Sequence, residues 1–273
     1  MRALILVILC FLAVAIFLTT TLRPQKTDRI IKMATTTSVQ DSGLLDALLP
    51  IFEKETGYKV HVIAVGSGKA LKHGENGDVD VIFTHDPAAE EKFINDGFGI
   101  NRREVMHNYF VIIGPKEDPA SIRAEKDAAE SFKKIAESGA AFVSRGDESG
   151  THVKEKSIWS AAGIKPSGKW YVSTGQGMGT VITIADEMKG YALTDKATFL
   201  AMRGRISLVI LCEQSEKLLN RYSIMALNPQ KHPHVNFKGA TELIKWYTSL
   251  EAQNAIANFK KFGETFFYPG AHK

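Results

Sequence analysis

Cysteine is scarce in this chain of 273 residues, which contains two, Cys10 and Cys212. Cys10 falls in an N-terminal segment of the export type, so Cys212 is the one thiol expected in the exported part. An intrachain disulfide is therefore excluded there. Cys212 ends an apolar run and is interpreted as a small buried side chain. The fold must depend on a hydrophobic core, which a chain of this length can form.

Other absences exclude whole classes of function. Runs of basic residues are missing and the formal net charge is +4, which argues against nucleic-acid binding. The sequence has no G-x-S-x-G or H-E-x-x-H motif, which disfavours a hydrolase. Lys69 follows a glycine but precedes Ala70, so the Gly-Lys-Ser/Thr ending of a phosphate loop is missing. His85 and His152 lack the spacing of metal ligands, and we expect neither a metal nor a cofactor.

The first 25 residues have the pattern of an export signal. Arg2 precedes an uncharged apolar stretch, residues 3–22, which is followed by Arg23 and Pro24. The stretch is longer than most signal cores and approaches the length of a membrane span. We interpret residues 1–25 as a signal peptide, with an uncleaved N-terminal anchor as the alternative. In both cases the rest of the chain is expected to be periplasmic or otherwise extracytoplasmic.

Apolar, strand-like runs alternate with amphipathic, helix-like segments along the rest of the chain. Leu44, Leu45, Leu48, Leu49 and Phe52, for example, recur at the spacing of three and four that is typical of a helix with one buried face. This alternation predicts an α/β fold with mostly parallel sheets flanked by helices. Ligands of such sheets lie beyond the carboxyl ends of the strands.

Three segments rich in glycine and hydroxyl side chains stand at such places, at residues 35–38, 66–68 and 144–151. In the last of them, Arg145 is a charged donor, and Ser149 or Thr151 can cap the helix that follows. The first turn of a helix also presents unpaired N–H groups. Together these are the donors that a small tetrahedral oxyanion requires. The alternative for each segment alone is an ordinary capped helix after a surface loop.

Several ordered motifs carry a resemblance to a known family. From about Ile30 onward they are TTTSVQDSGLL, AVGSGKALKHGENGDVDVIFTHD, NYFVIIGP, SRGDESGTH, GQGMG and GYALTDKATFLA. The chain resembles the TupA-like solute-binding proteins of tungstate ABC transporters, which are periplasmic binding proteins. The resemblance implies a two-lobed, type II-like fold with the oxyanion in the cleft between the lobes. It also implies delivery of the anion to an ABC permease and no enzymatic activity, and we expect a monomer.

The resemblance further implies the limits of the lobes and the ligand contacts. Lobe I would comprise residues 29–108 and 228–273, and lobe II residues 109–227. The crossings between them would be the NYFVIIG strand and the segment near Tyr222–Asn228. The oxyanion contacts carried over are Thr36, Thr37, Ser67, Arg145, Ser149, Gly150 and Thr151. Asp86 and Asp147 are candidates for an acceptor or for a supporting role.

The identity of the anion is left open by these motifs, because phosphate-binding proteins carry a similar Arg-x-Asp-x-Ser-Gly-Thr element. Tungstate is a dianion without protons, so its site needs donors alone. Phosphate has a second pKa of about 6 by analogy with phosphoryl groups. It can therefore keep a proton and use a carboxylate acceptor such as Asp86. Asp147 is expected to order Arg145 or cap the helix. We predict capture of tungstate, or of molybdate, with phosphate binding as the alternative and a hydrolase as a more distant one.

Overall fold

The computed structural model describes residues 29–147, 149–261 and 263–271. The expected signal or anchor at residues 1–25 lies outside them, and no helix within them is long and apolar enough to cross a membrane. The strands are β1 Ile30–Thr36, β2 Lys59–Val65, β3 Val81–Thr84, β4 Gly99–Gly114, β5 Phe142–Ser144, β6 Tyr171–Ser173, β7 Ala192–Asp195, β8 Val209–Cys212, β9 Leu219–Leu227, β10 Lys260–Lys261, β11 Glu264–Thr265 and β12 Tyr268–Pro269. The helices are α1 Thr37–Ser42, α2 Leu44–Thr56, α3 Ser67–Asn76, α4 Pro87–Asn95, α5 Ala128–Ser138, α6 Gly150–Ala161, α7 Met178–Glu187, α8 Lys196–Met202, α9 Phe237–Tyr247 and α10 Leu250–Asn258.

The main sheet is mixed, with the strand order β12-β4-β9-β3-β1-β2, and β7 and β8 pair with the far end of β4. β1 pairs in parallel with β2 and β3, and β5 pairs in parallel with β6. The long strands β4 and β9 run antiparallel to their partners. The predicted α/β class, with helices flanking the sheets, is confirmed. The antiparallel pairs of the main sheet all involve β4 or β9, the two strands that connect the halves of the molecule.

Lobe I is the half built on β1, β2, β3, β9, β12 and the beginning of β4. Adjacent residues of β1 face opposite sides of this sheet, as the pleat of a strand requires. Met33 packs with the apolar faces of α2, α9 and α10, to which Phe52 and Leu243 belong. Ala34 packs on the other side with Leu71 of α3 and Phe93 of α4. Helices therefore cover both faces of the sheet, and the ends of its strands are not covered by them.

Lobe II is the half built on β5, β6, β7, β8 and the end of β4. Phe110 and Ile112 of β4 join the aromatic cluster that includes Phe132 of α5 and Trp159 of α6. Val111 and Ile113 face the opposite side, in the cluster that contains Val181 and Ile182 of α7 together with Phe199 and Leu200 of α8. This lobe is thus also a sheet with helices on both faces.

Two strands connect the lobes. β4 pairs with β9 from Gly99 to Tyr109 and then with β7 from Phe110 to Ile113. β9 pairs with the buried strand β3 over residues 223–226. Residues 219–227 therefore add a strand to the sheet that contains β1 and β3. An apolar run identifies a strand but not the partner with which it pairs.

Candidate oxyanion site

Three parallel strands of lobe I end at one edge of the sheet. Thr36 at the end of β1 is in register with Val65 at the end of β2, and Thr35 is in register with Phe83 of β3. The chain then enters α1 at Thr37, α3 at Ser67 and α4 at Pro87. Three helix N-termini, each with unpaired N–H groups, therefore lie at the same edge.

The hydroxyl groups of the TTTS segment, residues 35–38, have different surroundings. Thr35 is buried and donates to the carbonyl oxygen of Phe83 at 2.8 Å, so its hydroxyl holds β1 to β3. The Thr36 hydroxyl caps α1, accepts from the backbone N–H of Val39 at 3.4 Å, and lies 3.0 Å from Ser38 Oγ. Thr37 and Ser38 are exposed at the beginning of α1. The hydroxyls of Thr37 and Ser38 are therefore the ones that solvent can reach.

The SRGD segment, residues 144–151, occupies the corresponding place in lobe II, between β5 and α6. Ser149 caps α6 and accepts from the backbone N–H of His152 at 3.4 Å. The Ser149 N–H in turn donates to Asp147 Oδ1 at 3.2 Å. Arg145 donates to Asp147 Oδ2 through Nε at 3.1 Å and Nη2 at 2.5 Å. Thr151 lies nearly buried in the first turn of α6.

The charge of Asp147 is stabilised within this segment. Burial alone would raise the pKa of its carboxyl group. The hydrogen bonds from Arg145 and Ser149 outweigh that effect and bring the pKa below its ordinary value. Asp147 is therefore ionised at neutral pH, and it orders the guanidinium of Arg145.

A second glycine-rich segment of lobe II supports the SRGD backbone. Ser144 and Ser173 are in register at the ends of β5 and β6, and Thr174 Oγ1 donates to the Ser144 carbonyl oxygen at 3.0 Å. Gly146 has a φ of +61°, and a Cβ atom there would lie 1.9 Å from Ser173 Oγ. A side chain is excluded at this position by both conformation and space. The sequence analysis identified the GQGMG motif but assigned it no site residue.

A cavity of about 220 Å³ lies between the two halves and is lined by residues of both. Among the predicted site residues it is lined by Ser67, Asp86 and Gly150. A methyl group built on Gly150 would lie 3.5 Å from His85 Cε1, so α6 of lobe II closely approaches the end of β3 in lobe I. The remaining predicted residues do not line the cavity and lie on the segments beside it, namely Thr36, Thr37, Arg145, Asp147, Ser149 and Thr151.

Positive charge reaches the cavity from two residues that the sequence analysis missed, Lys154 of α6 and Arg221 of β9. Burial and the charge of Arg221 both lower the pKa of Lys154. Within the described part of the chain, the ammonium group of Lys154 has no hydrogen bond or ion pair, whereas Arg221 Nε lies 3.6 Å from Glu104 Oε2. Lys154 is thus a partly buried cation that an anion in the cleft could neutralise.

Asp86, the predicted acceptor, has a local structural role. Its Oδ1 accepts from the Ala89 N–H at 3.2 Å and so caps α4. Its own backbone N–H donates to Glu90 Oε1 at 3.0 Å. The fully buried Glu90 carboxylate also accepts from Thr84 and from the guanidinium of Arg102. Hydrogen bonds within lobe I therefore fix the turn on which Asp86 lies beside the cavity.

Comparisons with known proteins agree with this arrangement. Residues 23–251 match the family described as a PBP superfamily domain. The tungstate-binding protein TupA of Peptoclostridium acidaminophilum is 44% identical over 245 residues, which cover 88% of this chain and 86% of that protein. The structure of TupA from Desulfovibrio alaskensis G20 is 45% identical, covers 89% of this chain and 99% of that one, and has a TM-score of 0.84. The structure titled as the tungstate ABC transporter from Geobacter sulfurreducens is 54% identical, covers 85% and 99%, and has a TM-score of 0.75.

The chain belongs to the TupA family of the PBP superfamily.

This member of the TupA family also has a buried polar group between its lobes. Asn108 of β4 and Asn220 of β9 are directly paired residues, and their side chains contact each other and the hydroxyl of Tyr222. All three residues are at least nine-tenths buried. The signal available in the sequence was one asparagine in each of two strands, but their proximity depends on the register of β4 with β9.

Proposed function

We propose that this protein captures tungstate in the cleft between its lobes and delivers it to an ABC permease. The observation that carries the proposal is the meeting of α3 and α6, from opposite lobes, at one cavity lined by Ser67, Gly150 and Lys154. The relatives named as tungstate-binding proteins support the choice of anion. They also support a binding protein rather than an enzyme, with tungstate as its transported ligand rather than a cofactor.

The anion would be held by donors from both lobes. In lobe I these are the first-turn N–H groups of α1 and α3 and the hydroxyls of Thr36, Thr37 and Ser67. In lobe II they are the first turn of α6 with Ser149, Gly150 and Thr151, together with the guanidinium of Arg145. Helix N-termini and charge-assisted hydrogen bonds are both favourable to an oxyanion. We add Lys154 as a second source of positive charge, because it lines the cavity without an ionic partner among the described residues.

Phosphate binding is the second candidate, and one observation favours it. Asp86 lines the same cavity, and one of its oxygens is committed to capping α4. The other oxygen could accept the proton of hydrogen phosphate, whereas it would repel a dianion that has no proton. A preference for phosphate that disappears in Asp86→Asn would therefore support this alternative.

Isothermal titration calorimetry on the protein without residues 1–25 tests the choice of anion. Tungstate, molybdate, sulfate and phosphate are titrated in one buffer, and phosphate also at several pH values. We expect one-to-one binding of tungstate, with weak phosphate binding. Tighter binding of phosphate would contradict the proposal, and the ratio of the tungstate and molybdate affinities would give the selectivity between those two anions.

We also propose a hinge between the lobes, with crossings near Tyr109–Phe110 in β4 and ahead of Leu219 in β9. β4 changes its pairing partner at the first point, and β9 begins at the second. An anion that bridges donors of both lobes would favour a closed arrangement. Small-angle scattering should show a smaller radius of gyration with tungstate than without it. We propose that the protein is monomeric and extracytoplasmic. Identical profiles would contradict the hinge.

A further inference from the structure

The His85 side chain lies where the end of β3, the crossing strand β9 and the beginning of α6 come together. It follows the last residue of β3 in lobe I, and its ring lines the cavity. The ring centroid lies 4.7 Å from that of Tyr222, in the crossing strand β9. Its Cε1 lies 3.5 Å from the position of a Cβ on Gly150, at the beginning of α6 in lobe II. One imidazole therefore belongs to lobe I, packs against a crossing strand and lies close to the beginning of α6 in lobe II.

The hydrogen bonds around the ring determine its tautomer. Asn220 Nδ2 donates to Asn108 Oδ1 at 2.9 Å and to the Tyr222 hydroxyl at 3.0 Å. Its Oδ1 is therefore the atom that faces His85 Nδ1, at 3.0 Å, and Nδ1 carries the proton. Burial lowers the pKa of His85, so the ring is neutral at pH 7. Nε2 is consequently an acceptor.

The acceptor nitrogen faces the TTTS segment. Ser38 Oγ lies 3.4 Å from His85 Nε2, and it also lies 3.0 Å from Thr36 Oγ1. A hydrogen-bonded chain thus runs from Thr36 through Ser38, His85 and Asn220 to Asn108. It begins in the candidate anion-binding segment and ends in the two strands that cross between the lobes.

We propose that His85 is a positioning residue that couples anion binding at the TTTS segment to closure of the lobes. The proposal rests on the proposed function. A Ser38 hydroxyl that turns towards an anion can no longer donate to Nε2, and an acceptor enclosed in the cleft without a donor is unfavourable. α6 is the lobe II element beside the ring, and its first turn carries unpaired N–H groups. Closure would bring such a donor to the ring, so that binding and closure favour each other.

The test combines calorimetry with small-angle scattering on the protein and its His85→Ala variant, with tungstate as the ligand. We expect the variant to bind tungstate about tenfold more weakly, which lies within the range of coupled sites. We also expect it to lose the contraction of the radius of gyration that tungstate causes. His85→Gln should restore both, because the glutamine amide can donate to Asn220 and accept from Ser38. His61→Ala, an exposed histidine of β2, is the matched control and should change neither.

Further variants make the result decisive if His85→Ala is unstable. Ser38 is exposed, so Ser38→Ala should leave the fold intact. In a double-mutant cycle of Ser38→Ala with His85→Leu, which removes the acceptor nitrogen, the effects on affinity should be clearly non-additive. Additive effects, or full contraction in His85→Ala, would overturn the coupling while leaving tungstate binding standing. Failure of the unmodified protein to bind tungstate would instead overturn the proposed function.

Discussion

The guanidinium of Arg145 and the carboxylate of Asp147 are joined by two hydrogen bonds within one short segment of lobe II, the shorter being 2.5 Å between Nη2 and Oδ2. The sequence analysis took Arg145 as the principal positive charge for the anion. Asp147 fixes the direction of that guanidinium but also offsets its charge. Lys154 has no acidic partner among the described residues, so its positive charge in the cleft is not offset in this way.

Arg145 is expected to contribute strongly to anion binding. Arg145→Ala should weaken tungstate binding by roughly 2–5 kcal/mol, as for other charge pairs removed from an interface. Arg145→Lys should recover part of this loss, because lysine keeps the charge but lacks the planar fork. Arg123→Ala, which removes an exposed arginine of lobe II that contacts Lys116, is the control. Calorimetric affinity for Arg145→Ala equal to that of the control would contradict the assignment.

Lys154 provides a second electrostatic test. Lys154→Gln should reduce tungstate affinity by about 1.5–3 kcal/mol, the range for hydrogen bonds to charged groups. Lys154→Arg should retain most of the affinity. The difference between Lys154→Gln and the unmodified protein should shrink as salt is added, since salt screens charge. Lys165→Gln, an exposed lysine outside the cavity, should have no effect. A salt-independent loss of affinity would indicate a steric cause instead.

Gly150→Ala should change the space available in the cleft without lowering the stability of the fold. A Cβ there meets His85 at an ordinary contact distance of 3.5 Å, so Gly150→Ala should fold with an unchanged or slightly higher free energy of unfolding. The added methyl group should nevertheless cost binding on the order of 1–3 kcal/mol, the usual range for overpacking. Gly179→Ala, in the first turn of α7 and 3.8 Å from Met202 Sδ, is the matched control. Denaturant unfolding and calorimetry of both variants check the prediction, and unchanged affinity in Gly150→Ala would show that α6 does not approach the anion.

Glu155 predicts a pH dependence of stability. It is buried in α6, where its Oε1 accepts from Tyr171 at 2.7 Å and from Trp159 Nε1 at 3.2 Å. Burial raises the pKa of Glu155 above its usual 4.5, although these hydrogen bonds oppose the rise. The folded state therefore favours the protonated carboxyl group. That contribution to stability is complete below about pH 4.5 and is lost as the pH rises through the raised pKa.

Glu155→Gln tests this dependence, because glutamine is neutral and keeps an oxygen for both donors. As the pH rises from about 4.5 through the raised pKa of Glu155, the unmodified protein should lose stability relative to the variant. Urea unfolding at a series of pH values measures the difference. Glu137→Gln, at an exposed position of α5, should give a difference that does not vary with pH. A constant difference for Glu155→Gln would mean that its carboxyl group titrates alike in both states.

Local pattern was a good guide to most elements. The alternation over residues 59–65 and the helical pattern over residues 196–202 predict β2 and α8 with the bounds that the structure has. Patterns at 153–162 and 180–188 predict α6 and α7 to within a few residues. The apolar run 105–114 predicts a strand, but β4 begins at Gly99, six residues earlier. Residues 99–104 are largely polar and are held as a strand by pairing with β9. The C-terminal strand β12 was also missed, because Tyr268 and Pro269 form a strand through their pairing with β4.

The sequence by itself determined the alternation of strands and helices and the three polar segments that follow strands. These depend on hydrophobic period, capping and turn chemistry, which are encoded within a few residues. The tertiary structure decided that Lys154 and Arg221 meet at one cavity. It also decided that His85 lies between Ser38 and Asn220. Such contacts join residues far apart in the chain, and the strand register and the docking of the lobes bring them together.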